Sequence, residues 1–182
     1  MRNLIKSVAT TNNIIVVLIL VIVALVAHIT FSKPTSFDSK RPLSEVLSRF
    51  EAKEVNCLAS NIYFEARGSN LADKAAVADV VMNRTEDRRY PTTVCAVVSQ
   101  GVITGKTDCQ FSWKCDSRSN MPAESDSWEE AKSIAYNMYV HKEFRGITEG
   151  ATHYHATYVK PYWAKSLQLV GRIGLHVYYR WE

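Results

Sequence analysis

The sequence predicts an α+β fold, helices first and a small antiparallel sheet later, preceded by one transmembrane helix. Three observations predict it. An unbroken apolar run lies near the N-terminus, helix-periodic segments fill the middle of the chain, and aromatic, β-branched and alternating segments close it. At 182 residues the chain has room for one domain and an appendage.

Residues 1–13 form a short flank carrying Arg2 and Lys6, and Ile14 to Ala27 are apolar without interruption. After His28 the run continues through Ile29, Thr30 and Phe31. A bilayer core needs roughly 17–25 mostly apolar helical residues, so 14–31 reaches the lower limit. The triplet Leu25-Val26-Ala27 lacks the small first residue of a signal-peptidase site. An uncleaved signal anchor is therefore favoured over a cleaved, secreted form. Basic residues flank both ends, with Lys33, Lys40 and Arg41 on the far side. Their count does not set the orientation, but long following domains are exported largely regardless of it. Residues 32–53, with Pro34 and Pro42, read as a tether and short amphipathic lead-in, leaving 54–182 as the exported domain.

Cys57, Cys95, Cys109 and Cys115 all follow the apolar run. None forms the Cys-x-x-Cys pair usual in zinc clusters, whereas disulfides suit an exported domain. Cys109 and Cys115 would close a small loop around Phe111 and Trp113, leaving Cys57 to pair with Cys95. The alternative is four buried thiols in a reducing compartment. The formal charge is +4, from 22 basic and 18 acidic residues. That is too mild for a nucleic-acid partner and compatible with an anionic polymer such as cell wall.

Within the domain, a first helix is expected from about Ala52 to Ala66, with Gly68 as a left-handed stop. A second starts near Asn70, with Asp73 in its first turn, and ends at Asn83-Arg84. Its stretch from Ala75 to Met82 is apolar nearly all round, as in a buried central helix. Glu86 to Arg89 is a charged loop leading to Tyr90-Pro91, and Thr93 to Gln100 is a short helix or strand. Ser127 and Glu130 have capping-box spacing, opening a helix over 127–142 whose Trp128, Ala131, Ala135 and Met138 share a face. Thr152 to Val159 reads as a strand. From Ile173 to Arg180 the chain alternates, with Ile173, Leu175, Val177 and Tyr179 opposite His176, Tyr178 and Arg180.

The residue of chemical interest is Glu65. It shares a helix stripe with Leu58 and Ile62, placing a carboxyl where its charge is poorly solvated. Such a group gains proton-donor character near neutral pH. The plainer alternative is a surface residue or a partner for Arg67. Other chemistries ask for more. His153 and His155 point the same way along a strand and could bind zinc, but need a third ligand from His141, His176 or a carboxylate. Cys57 could serve as a thiol nucleophile only if it is not bridged, and Ser99 and Ser112 lack a Gly-x-Ser-x-Gly setting. A two-acid glycosidase would draw its second carboxyl from Asp73, Asp79, Asp108 or Asp116, none in a diagnostic setting. A lytic transglycosylase needs one Glu that first protonates the leaving oxygen and then acts as base.

The run Cys57-Leu-Ala-Ser-Asn-Ile-Tyr-Phe-Glu65-Ala-Arg-Gly68, followed by Ala75-Ala-Val-Ala-Asp-Val-Val-Met-Asn-Arg84, resembles the spore-cortex-lytic type of cell-wall hydrolase, the SleB-like family. So do Tyr90-Pro-Thr-Thr-Val-Cys95-Ala-Val-Val, Cys109-Gln-Phe-Ser-Trp-Lys-Cys-Asp116, His153-Tyr-His-Ala156 with Pro161-Tyr-Trp-Ala164, and Ile173-Gly-Leu-His-Val-Tyr-Tyr-Arg180. These blocks stand in the family's order and span about residues 54–182.

The resemblance implies a lysozyme-like α+β domain that cuts the β-1,4 bond after N-acetylmuramic acid in peptidoglycan, typically leaving a 1,6-anhydro end, without cofactor or metal. It places the catalytic acid on Glu65. Gln110, Phe111, Ser112 and Trp113 are expected on a strand beside the glycan groove, with Tyr154 and His155 nearby and Trp113 and Tyr154 stacking on sugar rings. The family often carries a second acid directly after the glycine, where this chain has Ser69; a helix-capping role would let Ser69 replace it. The resulting expectation is a membrane-anchored enzyme on the periplasmic or cell-wall side, with peptidoglycan strands as partner, for wall remodelling or phage-type lysis. The alternatives are an inactive glycan-binding scaffold and a zinc amidase using His153 and His155.

Overall fold

The structure is a computed structural model that describes residues 16–23, 38, 41–102, 109–116 and 118–182. The chain divides into two units, Met1–Ser36 and Phe37–Glu182. In the first, residues 16–23 are helical and every side chain is exposed. Among the described residues no helix is long and apolar enough to cross a membrane. The rest of the expected 14–31 span, and the whole 1–13 flank, lie outside the described residues.

The second unit begins with a 3-10 turn, Leu43–Glu45, whose Leu43 is already part of the core. Helix α1 follows over Arg49–Ala66. It starts three residues before the expected position because Ser48 and Glu51 form a reciprocal capping box, with the Ser48 amide on Glu51 Oε2 at 3.0 Å and the Glu51 amide on Ser48 Oγ at 3.3 Å. One stripe of α1 (Val55, Leu58, Ile62) is fully buried. Its end differs from expectation: Gly68 is not left-handed. The Arg67 amide closes the last turn on the Tyr63 carbonyl with helical φ and ψ instead.

Helix α2, Leu71–Glu86, is the buried central helix that its composition predicts. Its cap is Asn70, whose side chain accepts from the Asp73 amide at 2.9 Å, so Ser69 does not cap it. The expected end at Asn83-Arg84 is passed by two residues. Helix α3, Val94–Val98, settles the segment that could have been helix or strand, with Thr93 as its cap. Helix α4, Ser125–Val140, starts two residues early and Ser127 lies inside it. The predicted capping box is absent because Glu130 is drawn to the buried Lys74 at 2.6 Å. The Tyr63 hydroxyl instead receives the Ala123 and Glu124 amides at 3.0 and 3.1 Å, tying the approach to α4 onto α1.

The sheet has three antiparallel strands in the order β1-β3-β2: β1 is His153–Ala156, β2 Gln168–Ile173 and β3 His176–Arg180. The first expected strand is shorter than predicted. The alternating segment is split, since Ile173 ends β2 and Leu175 stands exposed in the turn. Within β3 the inward residues are His176 and Tyr178, so the polar row is the buried one. Tyr178 packs with Ala76, Val80 and Ala151, setting the sheet on α2. Two disulfides, Cys57–Cys95 and Cys109–Cys115, match the pairing read from the spacing. The first ties α1 to α3 across a Cα–Cα distance of 5.2 Å.

Candidate active site

Glu65 sits in the last turn of α1, where the carbonyl end of the helix dipole disfavours an added negative charge. Its half-buried carboxyl accepts the Tyr154 hydroxyl at 3.1 Å. Burial is the largest influence and raises its pKa; the Tyr154 bond and the His176 and Arg84 charges oppose it without cancelling it. The result is a carboxyl that holds its proton above the ordinary range. Burial likewise pushes the Tyr154 hydroxyl well up, and the Glu65 charge adds to this, so Tyr154 acts as a donor.

A groove of about 820 Å³ opens over this pair. Its walls are the end of α1, the disulfide-closed segment 109–116, residues 118–124, and β1 with the turn after it. All six residues expected beside the substrate line it: Gln110, Phe111, Ser112, Trp113, Tyr154 and His155. Their setting differs from expectation. Ser112–Lys114 is a 3-10 turn rather than a strand, because the Cys109–Cys115 bridge closes a loop too short for extended chain. Trp113 is only 6% exposed, stacks on Phe64 at 4.6 Å and directs Nε1 to Asn61 Oδ1 at 3.4 Å. It therefore shapes the wall and offers no open sugar platform. Phe111 is buried too, with the Arg84 guanidinium 5.4 Å from its ring centre. Tyr154 is taken up by Glu65 at its hydroxyl and by His176 and Tyr178 at its ring.

The histidines make separate hydrogen bonds, although His153 and His155 both pack against Trp163. His155 places Nδ1 2.8 Å from the Ala156 carbonyl and Nε2 3.1 Å from the Tyr179 hydroxyl, so both ring nitrogens are engaged. His153 lies between Tyr90, Trp163 and Trp181, and burial, with the Arg84 and Arg89 charges, lowers its pKa to about 4. His176 bonds Asp73. Among the described residues no group of three His, Cys, Asp or Glu is placed to hold a metal. The Cys57 thiol is consumed in its bridge. Of the candidate second acids, Asp79 is buried under Arg145, Gly146 and Thr148, and Asp73 has its own partners. Asp116 is exposed on the groove, and Asp108 lies outside the described residues.

Sequence reasoning assigned no role to the groove residues Arg84 and Tyr158, and weighed His176 only as a third zinc ligand. Arg84 carries the only signal that could have marked it, a cation within an apolar helix. It is buried, its Nε donates to the Thr152 carbonyl at 2.8 Å, and among the described residues its Nη1 has no hydrogen-bond partner. Tyr158 is 88% exposed and is the kind of open aromatic face that Trp113 is not.

The family model described as Cell Wall Hydrolase matches residues 68–179. The chain belongs to this family. The matched span contains the groove residues from Arg84 onward and begins just after Glu65. The fold is also similar to two solved structures. One is the catalytic domain of the germination-specific lytic transglycosylase SleB from Bacillus anthracis, 20% identical, with a TM-score of 0.57, covering 74% of this chain and 99% of that one. The other is the catalytic domain of the Bacillus cereus SleB protein, 18% identical, with a TM-score of 0.50, covering 82% and 99%. No curated protein sequence matches significantly. In this cell wall hydrolase, the SleB-like expectation and the α+β arrangement of helices with a small three-stranded sheet therefore hold.

Proposed function

We propose that this cell wall hydrolase is a peptidoglycan glycosidase that cleaves the β-1,4 bond between N-acetylmuramic acid and N-acetylglucosamine as a lytic transglycosylase. The observation that carries the reading is Glu65: a half-buried carboxyl, raised in pKa by burial, that lines a groove of about 820 Å³. The protonated carboxyl gives its proton to the glycosidic oxygen as the C1–O bond breaks. The resulting carboxylate then takes the proton of the muramic acid 6-hydroxyl as that oxygen bonds to C1. The products are a free 4-hydroxyl and a 1,6-anhydro end, and Glu65 regains its proton. Tyr154 steadies the ionised form between the two steps.

The domain works outside the cytoplasm, on the periplasmic or cell-wall side, held by the apolar 14–31 segment as an anchor. Two disulfides support an exported domain, and the unbroken apolar run from Ile14 to Ala27 in the sequence motivates the anchor. Glu65→Gln is expected to fold and to release no muropeptides from purified sacculi. Full activity in that variant would overturn the assignment. Mass spectrometry of wild-type products is expected to show anhydro ends; reducing ends would mean hydrolysis, with exposed Asp116 as the second carboxyl to test. A wild type that binds sacculi and releases nothing would be a scaffold, and loss of activity to chelator would favour the zinc amidase.

A further inference from the structure

Asp73 is fully buried, yet it carries four donors. It accepts the Leu175 amide at 3.0 Å, the Tyr178 hydroxyl at 3.0 Å and His176 Nδ1 at 2.9 Å, and the Ser69 side chain also bonds it. Burial alone would raise this carboxyl, but the bonds from His176, Leu175 and Ser69 outweigh it and hold it below its ordinary value. An ionised acceptor against Nδ1 puts the imidazole proton on that nitrogen, so Asp73 fixes the tautomer and plane of His176. The close approach depends on Gly174, in the turn between β2 and β3 at φ +55°, where a Cβ would lie 2.6 Å from the Asp73 Cβ.

His176 also lines the groove. Its ring stands edge-on to Tyr154, with centroids 5.2 Å apart at 80°, and Tyr154 donates to Glu65. A continuous path thus joins Asp73 to Glu65 through one imidazole and one phenol. Asp73 lies one helical turn beyond Ser69, the position where the family resemblance places a second acid.

Resting on the assignment of Glu65 as the acid, we propose that Asp73 and His176 are positioning residues that hold the Tyr154 hydroxyl on Glu65. The site then uses two carboxyl groups, Glu65 to react and Asp73 to orient. If Asp73 only clasped the hairpin to α2, losing the imidazole would cost stability and leave the chemistry unchanged.

The full chain carrying His176→Asn, Asp73→Asn or Tyr154→Phe would be assayed on soluble glycan strands across pH. Asn at 176 retains a donor for Asp73, and Phe at 154 retains the ring, so both guard against simple unfolding. We expect kcat to fall about 10- to 100-fold with KM changed less than about twofold, as for a misplaced reacting group. The alkaline limb of kcat is expected at higher pH in His176→Asn and Tyr154→Phe, because the Tyr154 hydrogen bond and the influence of His176 each oppose the raising of Glu65 by burial, alongside the Arg84 charge. The effects of His176→Asn and Tyr154→Phe should not add, since they act on one contact. Wild-type kcat and an unmoved limb in both variants, whatever their melting temperatures, would overturn the proposal. Glu65→Gln separates the two levels. If it is inactive while the other variants behave as wild type, only the positioning role fails; if it is active, the acid assignment fails.

Discussion

Removing each disulfide should separate stability from substrate handling. The Cys57–Cys95 bridge spans 38 residues and Cys109–Cys115 spans six. Loop-closure entropy assigns about 4 kcal/mol to the longer loop and about 2 kcal/mol to the shorter. In a domain of about 150 residues, 1 kcal/mol moves Tm by roughly 3 °C. Replacing both Cys57 and Cys95 by Ala should therefore lower Tm by about 12 °C, against about 6 °C for Cys109 and Cys115. Activity should rank the opposite way. Cys57–Cys95 ties α1 to α3 away from the groove, whereas the short loop carries Gln110 to Trp113 along its wall. Below the melting range, losing Cys109–Cys115 should raise KM for glycan strands several-fold, and losing Cys57–Cys95 should leave it near wild type. Thermal melts and steady-state kinetics on the paired double variants test both halves. Equal Tm losses, or a KM effect confined to the Cys57–Cys95 variant, would refute the reasoning.

Tyr158→Ala should raise KM with little change in kcat, and Tyr158→Trp should retain binding, because an 88% exposed ring at the groove can stack on a sugar; unchanged KM in the alanine variant would remove it from the binding surface. In wild type, kcat/KM should persist above the ordinary carboxylate range and fall as pH rises through the raised Glu65 pKa, since the first step needs the protonated form. The same shift bears on stability. A carboxyl whose folded pKa is raised favours the folded state less once it ionises, so Glu65→Gln should melt no lower than wild type near neutral pH, as a thermal scan would show.

Local signals were legible where the chain satisfies itself locally. Helix α2 starts beside Asn70 as expected, though Asn70 rather than Ser69 caps it, Ala75 to Met82 are buried as their composition predicts, and the cysteine spacing anticipates both bridges. Misreadings fall where a distant partner outcompetes a local one. Glu130 has the spacing of a capping box with Ser127 but pairs with Lys74, 56 positions away. Trp113 has the composition of a sugar platform but stacks on Phe64 from α1. Strand β2 was invisible because Gln168 to Ile173 alternates poorly and is largely exposed or half-buried.

The sequence by itself determined the α+β order of elements and the position of Glu65 on the buried stripe of a helix, because helical period is a property of neighbouring residues. Tertiary structure alone decided what surrounds that carboxyl. Tyr154, Arg84 and His176 reach Glu65 from elements 19 to 111 positions away, and Asp73 reaches His176 across 103. No periodicity encodes such meetings; they follow from packing the sheet on α2, which brings side chains remote in sequence into a single low-dielectric site.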